Sequence, residues 1–280
     1  MKLHLDSDAF RVLIDAVSAK TGYRKDVIEK DYYVTMILQE LSNFQSEGLP
    51  AYFKGGTALY KALHSVRRFS EDIDLSVDVR DCRTQGAKRL DKATKKYMSI
   101  PRNAQEGHSN RSEVITFYNY DPVVEYDTND VLQRFGKVKV EATSFTISEP
   151  YESMRVAPII YENAEPNQQA ILTEQFDVAP FDIQTMTMER IFVDKLFAAE
   201  AYTRNADKEH RAFEASKHIY DLAVISDESR ISALFENEKL LAGLLSIRLT
   251  EEQNRLDGIP GVLPKDFIFF DEACSNPYIK

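Results

Sequence analysis

Apolar residues return along this 280-residue chain at two spacings, one helical and one alternating. Over residues 24–43 Val27, Ile28, Tyr32, Val34, Ile37 and Leu41 recur at intervals that predict an amphipathic helix, and residues 7–19 follow the same rule more weakly. A polar break from Ser42 to Pro50 ends that pattern. A strand-like run, Ala51-Tyr52-Phe53, then meets the pair Gly55-Gly56, and a short helix is predicted over Thr57–Val66. From Ser70 to Val77 the pattern alternates: Asp72 and Asp74 share one face of a strand, while Ile73, Leu75 and Val77 share the other. A basic helix is expected within residues 83–102 and a polar loop over 103–110. Strands are expected at Glu113–Tyr118, Gly136–Ser144 and Arg155–Tyr161, with a short one at Gln175–Val178. From about residue 182 the pattern turns helical, over 185–203, 208–226 and 230–246, and residues 250–280 carry little pattern. The fold class expected is α/β (α+β): a mixed sheet with flanking helices over residues 1–181, then a mainly helical region over 182–280.

Composition narrows the setting without naming a function. Hydrophobic residues make up 43% and charged residues 29%, ordinary values for a globular protein able to bury a full core. No apolar run approaches the ~20 residues that span a bilayer, so no membrane partner is expected. The opening MKLHLDSDAF has early acids and no apolar stretch of the kind a signal peptide needs. Cys82 and Cys274 are the only cysteines; they form neither a metal pattern nor a disulfide framework, and a reduced cytoplasmic setting is expected. The net charge of −10 argues against a general nucleic-acid coat. It leaves room for a local basic patch: Arg83, Lys88, Arg89, Lys92, Lys95, Lys96 and Arg102 face a single acid, Asp91. Lys88, Lys92 and Lys95, or Arg89, Lys92 and Lys96, line up on one helical face, either as a solvated surface or as a contact for a polyanionic acceptor.

The segment YFKGGTALYKALHSVRRFSEDIDLSVDV, residues 52–79, carries the chemistry. A glycine pair opening a helix brings backbone N–H groups close to a phosphate. Two carboxylates on one strand face can hold a divalent cation over those phosphates. Asp-x-Asp alone is common in turns; following Gly-Gly and a short helix it becomes specific. The five histidines show no metal spacing, no Ser-His-Asp constellation appears, and no Walker-type lysine follows the glycines.

At these residues the chain resembles the polymerase-β-like nucleotidyltransferases, and FKGGTAL with RFSEDIDL resembles the AbiEii/AbiGii-type branch, toxins of type IV toxin–antitoxin systems. IEKDYYV (residues 28–34), MERIFVDKLFAAE (188–200) and KHIYDL (217–222) extend the resemblance over roughly residues 25 to 225. It implies a nucleotidyltransferase core, Mg2+ held by Asp72 and Asp74, and an NTP as donor. It also implies a third carboxylate on a neighbouring strand. Glu141 in Lys137-Val-Lys-Val-Glu141 stands on a polar strand face where that ligand would sit, or belongs to a merely solvated face. Lys195 and Asp221 match functional positions of the branch. Their structural alternatives are a surface salt bridge for Lys195 and an ion pair between Lys217 and Asp221, four residues apart on one helix. Gly55, Gly56, Thr57, Ser70 and Lys195 are the expected nucleotide contacts, with Ser70 also readable as a turn or cap serine. Arg67 and Arg68 offer a substrate contact or an ion pair to Glu71, and Lys30 and Asp31 meet nucleotide or brace the core.

The expected function is therefore magnesium-dependent transfer of a nucleoside monophosphate from an NTP to an acceptor hydroxyl. The resemblance points to RNA, a tRNA 3′ end, as acceptor and to a separate antitoxin protein as partner. The alternatives are a small-molecule or protein acceptor, and a nucleotide-binding regulator without turnover.

Overall fold

The computed structural model describes residues 2–64, 68–70, 72–82, 85–126, 135–204, 208–255 and 258–271, with backbone alone for 208–214. Arg67, Glu71, Arg83, Cys274 and residues 65–66 of the helix expected to reach Val66 lie outside the described residues.

The alternating segments assemble into one mixed sheet. Its strands are β1 (Ala51–Lys54), β2 (Ile73–Val77), β3 (Arg102–Ser109), β4 (Glu113–Asn119), β5 (Lys137–Thr143), β6 (Tyr151–Val156) and β7 (Phe181–Met186). Their order across the sheet is β3-β4-β5-β2-β1-β7-β6. β2 runs antiparallel to β1 and parallel to β5, and β1 runs parallel to β7. Register decides which side chains share a face. Phe53 pairs with Leu75, Ile73 with Val140, Leu75 with Ala142, and Tyr118 with Val138, so these residues form one continuous apolar face. Lys54 pairs with Asp74, and Asp74 pairs with Glu141, which gathers the polar positions on the opposite face.

Helices cover the apolar face. α1 (Ser7–Thr21) is capped by Asp6, whose side chain accepts from the Ala9 N–H, and ends at Gly22 with φ 76°. α2 (Lys25–Ser46) buries Ile28, Tyr32, Tyr33, Ile37, Leu38 and Leu41. Phe10 packs against Tyr32 and Tyr33, and Tyr33 stacks on Tyr120 at 4.0 Å between centroids. α4 (Gly86–Lys95) lies on the same face, where the Tyr118 hydroxyl donates to the Thr94 carbonyl at 2.6 Å. α3 (Gly55–Lys61) leaves β1 at the glycine pair. α5 (Ile159–Glu162) and α6 (Pro166–Phe176) connect β6 to β7. α7 (Met188–Arg204) and α8 (Lys208–Ile225) pack side by side, followed by α9 (Ser229–Glu236) and α10 (Glu238–Glu252).

Six expectations change. The helix expected over Thr57–Val66 starts at Gly55 and ends at Lys61, with residues 62–64 outside it. Residues 102–109 form the edge strand β3 rather than a loop: almost every side chain is exposed, so no apolar alternation marks a strand held only by its pairing with β4. The strand expected at Arg155–Tyr161 is shifted to Tyr151–Val156, and α5 takes the rest. Gln175 and Phe176 close α6 instead of opening a strand. Residues 181–186, read as the start of helical structure, form β7 inside the sheet, so the strand straddles residue 182. The helix expected over 230–246 is two helices, because Asn237 turns out of the first and its side chain caps α10 through the Leu240 N–H.

Candidate active site

Asp74 reaches the open face because β2 alternates, with Ile73 and Leu75 buried on the other side, and Asp72 stands immediately before the strand. Asp74 has Lys54 on one side and Glu141 on the other, both in register. The burial of Asp74, and then the charges of Glu141 and Asp72, push its carboxyl up to about 6, against the pull of Lys54 and Lys139. Lys139 stands one alternation before Glu141. Its ammonium is 2.8 Å from Glu141 Oε2 and 3.9 Å from Asp72 Oδ2. Burial disfavours that charge, but Glu141 and Asp72 outweigh it and hold the Lys139 pKa above its ordinary value. Lys54 Nζ donates to the hydroxyls of Thr143 at 3.2 Å and Thr146 at 3.4 Å.

The glycine pair is needed where it stands. Gly55 has φ +81°, and a Cβ there would overlap the Asp74 carboxylate. A Cβ at Gly56 would lie 2.7 Å from an Arg68 guanidinium nitrogen and 2.9 Å from Ser70 Oγ. The buried Thr57 hydroxyl donates to the Asp72 carbonyl and lies 2.9 Å from Ser70 Oγ, whose hydroxyl can donate to it, so it ties α3 to the start of β2. From the other end, a buried ion pair between Lys61 and Asp31 ties α3 to α2, and Asp31 also accepts from the Ile159 N–H at 2.7 Å. Lys30 reaches the Lys137 carbonyl. Lys30 and Asp31 therefore brace the core.

Lys195 and Asp221 meet on the same side as Asp74. Lys195 Nζ is 2.5 Å from Asp221 Oδ2, and Arg68 clasps both Asp221 oxygens at 2.6 Å. Asp221 is shut from solvent, Lys195 nearly so, and the Arg68 side chain is 26% exposed. Burial raises the Asp221 carboxyl, yet its bonds to Arg68 and the charge of Lys195 hold it below the ordinary carboxylate range. Burial moves Lys195 downward, against the attraction of Asp221. The ion pair of Asp221 is thus made where two helices meet, by Lys195 of α7, with Arg68 beside it. His218 was not singled out in the sequence. Its ring stacks on Tyr202 at 5.4 Å, and burial followed by the charge of Lys195 drives its pKa down to about 3, leaving it neutral at physiological pH.

Arg68 and Lys54 also escaped the pattern as settled site residues. Their only signals are adjacency to Ser70 and to the glycine pair. Lys88, Lys92 and Lys95 are not brought to the carboxylates. α4 packs on the apolar face, so its cations stand on the far side of the sheet, with Lys92 near Glu47 at 3.5 Å and Lys95 on Asp91 at 2.6 Å.

Residues 37–266 match the family model described as nucleotidyl transferase AbiEii toxin, type IV TA system. The chain belongs to the AbiEii nucleotidyltransferase toxin family. It is a nucleotidyltransferase in that sense, and the AbiEii match spans β1 through α10, including both aspartates, Lys195 and Asp221. No curated protein matches. Among solved structures, JHP933 from Helicobacter pylori is similar at 18% identity, with 90% of this chain and 88% of that one covered and a TM-score of 0.40. MenT4, a nucleotidyltransferase toxin from Mycobacterium tuberculosis, is similar at 13% identity over 79% of this chain and 72% of that one, with a TM-score of 0.43. Superpositions this loose decide nothing about the AbiEii site. Among the described residues, no helix is long and apolar enough to cross a membrane.

Proposed function

We propose that this AbiEii-family chain transfers a nucleoside monophosphate from an NTP to the hydroxyl of an RNA 3′ end, that of tRNA, and that a cognate antitoxin protein restrains it. The observation that supports this reading best is the register Lys54–Asp74–Glu141 beside Gly55 and Gly56. It sets carboxylates next to the backbone of a glycine pair, the arrangement that triphosphate chemistry uses. The donor set fits a divalent cation: burial, and then the charges of Glu141 and Asp72, raise Asp74, and a bound cation would favour its ionised form. Asp72 and Asp74 would hold Mg2+, which supplies charge neutralisation to the triphosphate when bound. Glu141 stands where it can orient the attacking hydroxyl and accept its proton. Gly55 and Gly56 offer backbone N–H groups to phosphate, with Ser70 beside them. Arg68, whose guanidinium reaches over Gly56, is the proposed triphosphate contact, and Lys195 with Asp221 positions it from behind. The lysines of α4 are proposed to touch the body of the acceptor, not its reactive end, since they lie beyond the sheet.

Incubation with each labelled NTP, Mg2+ and total tRNA tests the reading. Label on RNA supports it. Label on a small molecule or protein moves the acceptor to another class, and nucleotide binding without transfer would leave a regulator. Replacing Lys88, Lys92 and Lys95 with Gln tests the docking face. RNA affinity is expected to fall and its salt dependence to flatten, because fewer counterions are released, while NTP binding stays as it was. An unchanged salt slope would remove α4 from the acceptor site.

A further inference from the structure

The carboxylate face already contains a cation of its own. By register Lys139 follows Asp72 across the β2–β5 boundary, as Val140 pairs with Ile73 and Glu141 with Asp74. Its ammonium lies 2.8 Å from Glu141 and 3.9 Å from Asp72, so it bridges the outer pair of the three carboxylates. Two-metal nucleotidyl chemistry needs those same oxygens for a second divalent ion. Glu141 is engaged by Lys139, and among the described residues no three His, Cys, Asp or Glu side chains are gathered into a cage for a metal ion. Charge points the same way. Asp72, Asp74 and Glu141 with Lys54 and Lys139 leave the face with a single negative charge. One divalent cation turns it singly positive, which suits a triphosphate, whereas a second would have to settle against an ammonium only a few ångström away.

Resting on the metal-dependent reading above, we infer that Lys139 takes the place of one of the two divalent cations, so that the site loads a single ion, on Asp72 and Asp74. Lys139 is then a fixed electrostatic partner of Glu141 that is present before any ion or substrate arrives. It holds Glu141 in place beside the acceptor position and spares the protein the capture of a second ion. Its side chain is 29% exposed, so replacement removes the charge without opening the core.

Counting Mn2+ bound to the full chain, by the loss of free-ion signal in electron paramagnetic resonance, tests this directly. The wild-type chain is expected to bind about one Mn2+, Lys139→Met about two, and Lys139→Arg about one, since the guanidinium restores the charge. Two ions on the wild-type chain, or one on Lys139→Met with unchanged affinity, would overturn the inference and leave the metal-dependent reading intact. No Mn2+ on the wild-type chain, or full binding by Asp74→Asn, would overturn the metal reading itself and this inference with it. Lys139→Arg also checks folding: an ion count of about two in that variant would show that perturbation of the strand, not loss of charge, created the second site.

Discussion

At the residue scale Asp74 is the position where structure and chemistry conflict. Its folded pKa, about 6, lies above the ordinary 3.8, so the native state holds a proton that the unfolded chain has lost between those values. Stability from this group therefore falls as pH rises through that window, and at neutral pH the ionised carboxylate is a cost that a bound cation offsets. Asp74→Asn is expected to abolish nucleotidyl transfer and yet raise the melting temperature at pH 7.5 in chelator. A melting temperature lowered there would mean that Asp74 is held by attraction rather than disfavoured by burial and by its neighbouring carboxylates. Divalent-ion binding should weaken as pH drops through about 6, as protons compete for the same oxygens; titrations with Mn2+ at pH 5 and pH 7.5 would show it. Asp72→Asn should also lose transfer, because it withdraws a charge from the same ion.

At the element scale the site depends on how α3, β2, α7 and α8 are joined. Gly55→Ala is expected to cost about 1–3 kcal/mol from the left-handed backbone alone. The added methyl would also displace the Asp74 carboxylate, so transfer should fall by more than stability does. Chemical denaturation alongside kcat/KM separates the two effects. The α7–α8 contact turns on Asp221. Asp221→Ala would leave Lys195 buried without its partner, a loss of about 3–5 kcal/mol. Lys195→Met should cost less, since Asp221 keeps both bonds from Arg68. If Lys195 acts by positioning Arg68, then kcat/KM falls further for Arg68→Ala than for Lys195→Met. The reverse order would show that Lys195 itself meets the triphosphate.

At the scale of the whole molecule the C-terminal helices are clamped to the sheet by a buried ionic cluster. Arg190 on α7 meets Glu251 on α10 at 2.6 Å, and Arg248 meets Glu251 at 3.0 Å and Asp194 at 3.4 Å. Glu251 also accepts from the Ile147 N–H at 2.5 Å, between β5 and β6. The cluster thus locks α10, α7 and the loop after β5 into one arrangement, one residue away from Lys195. Further along, buried Glu200 accepts from the backbone of Ile268 and Phe269 and fixes the tail end of the described chain. Glu251→Ala should lower stability by about 1.5–3 kcal/mol, because Arg190 and Arg248 each lose a buried charge-assisted bond while Arg190 keeps Asp194 and Arg248 keeps Asp194 and Glu252. It should also reduce transfer through the misplacement of α7. Normal kcat/KM in a destabilised Glu251→Ala protein would show that the clamp serves the fold alone.

Much of this was determined by the sequence. Residues 113–119 and 137–143 announce themselves by period, because each buries one face and that face must be apolar, whereas residues 25–46 show a helical spacing although residues 28–38 are buried all round, charged side chains included. The Gly-Gly and Asp-x-Asp pairing carries its chemistry locally, since a close backbone approach and a two-residue repeat are both short-range properties. Tertiary structure decided the rest, wherever a partner is distant in the chain. β3 is a strand only because β4 accepts it, and β7 is a strand because it lies between β1 and β6; neither placement is written in a local period. Helix composition made Lys195 look like a surface charge and offered Asp221 the nearby Lys217, and only the packing of α7 on α8 buries Lys195 and Asp221 together under Arg68. The α4 lysines follow the carboxylates closely in sequence yet stand on the other side of the sheet, because alternation sends β2's apolar residues toward α4 and its aspartates away. The bridge from Lys139 to Asp72 belongs to the same class: alternation puts each residue on a polar face, and only the parallel register of β2 on β5 sets them side by side.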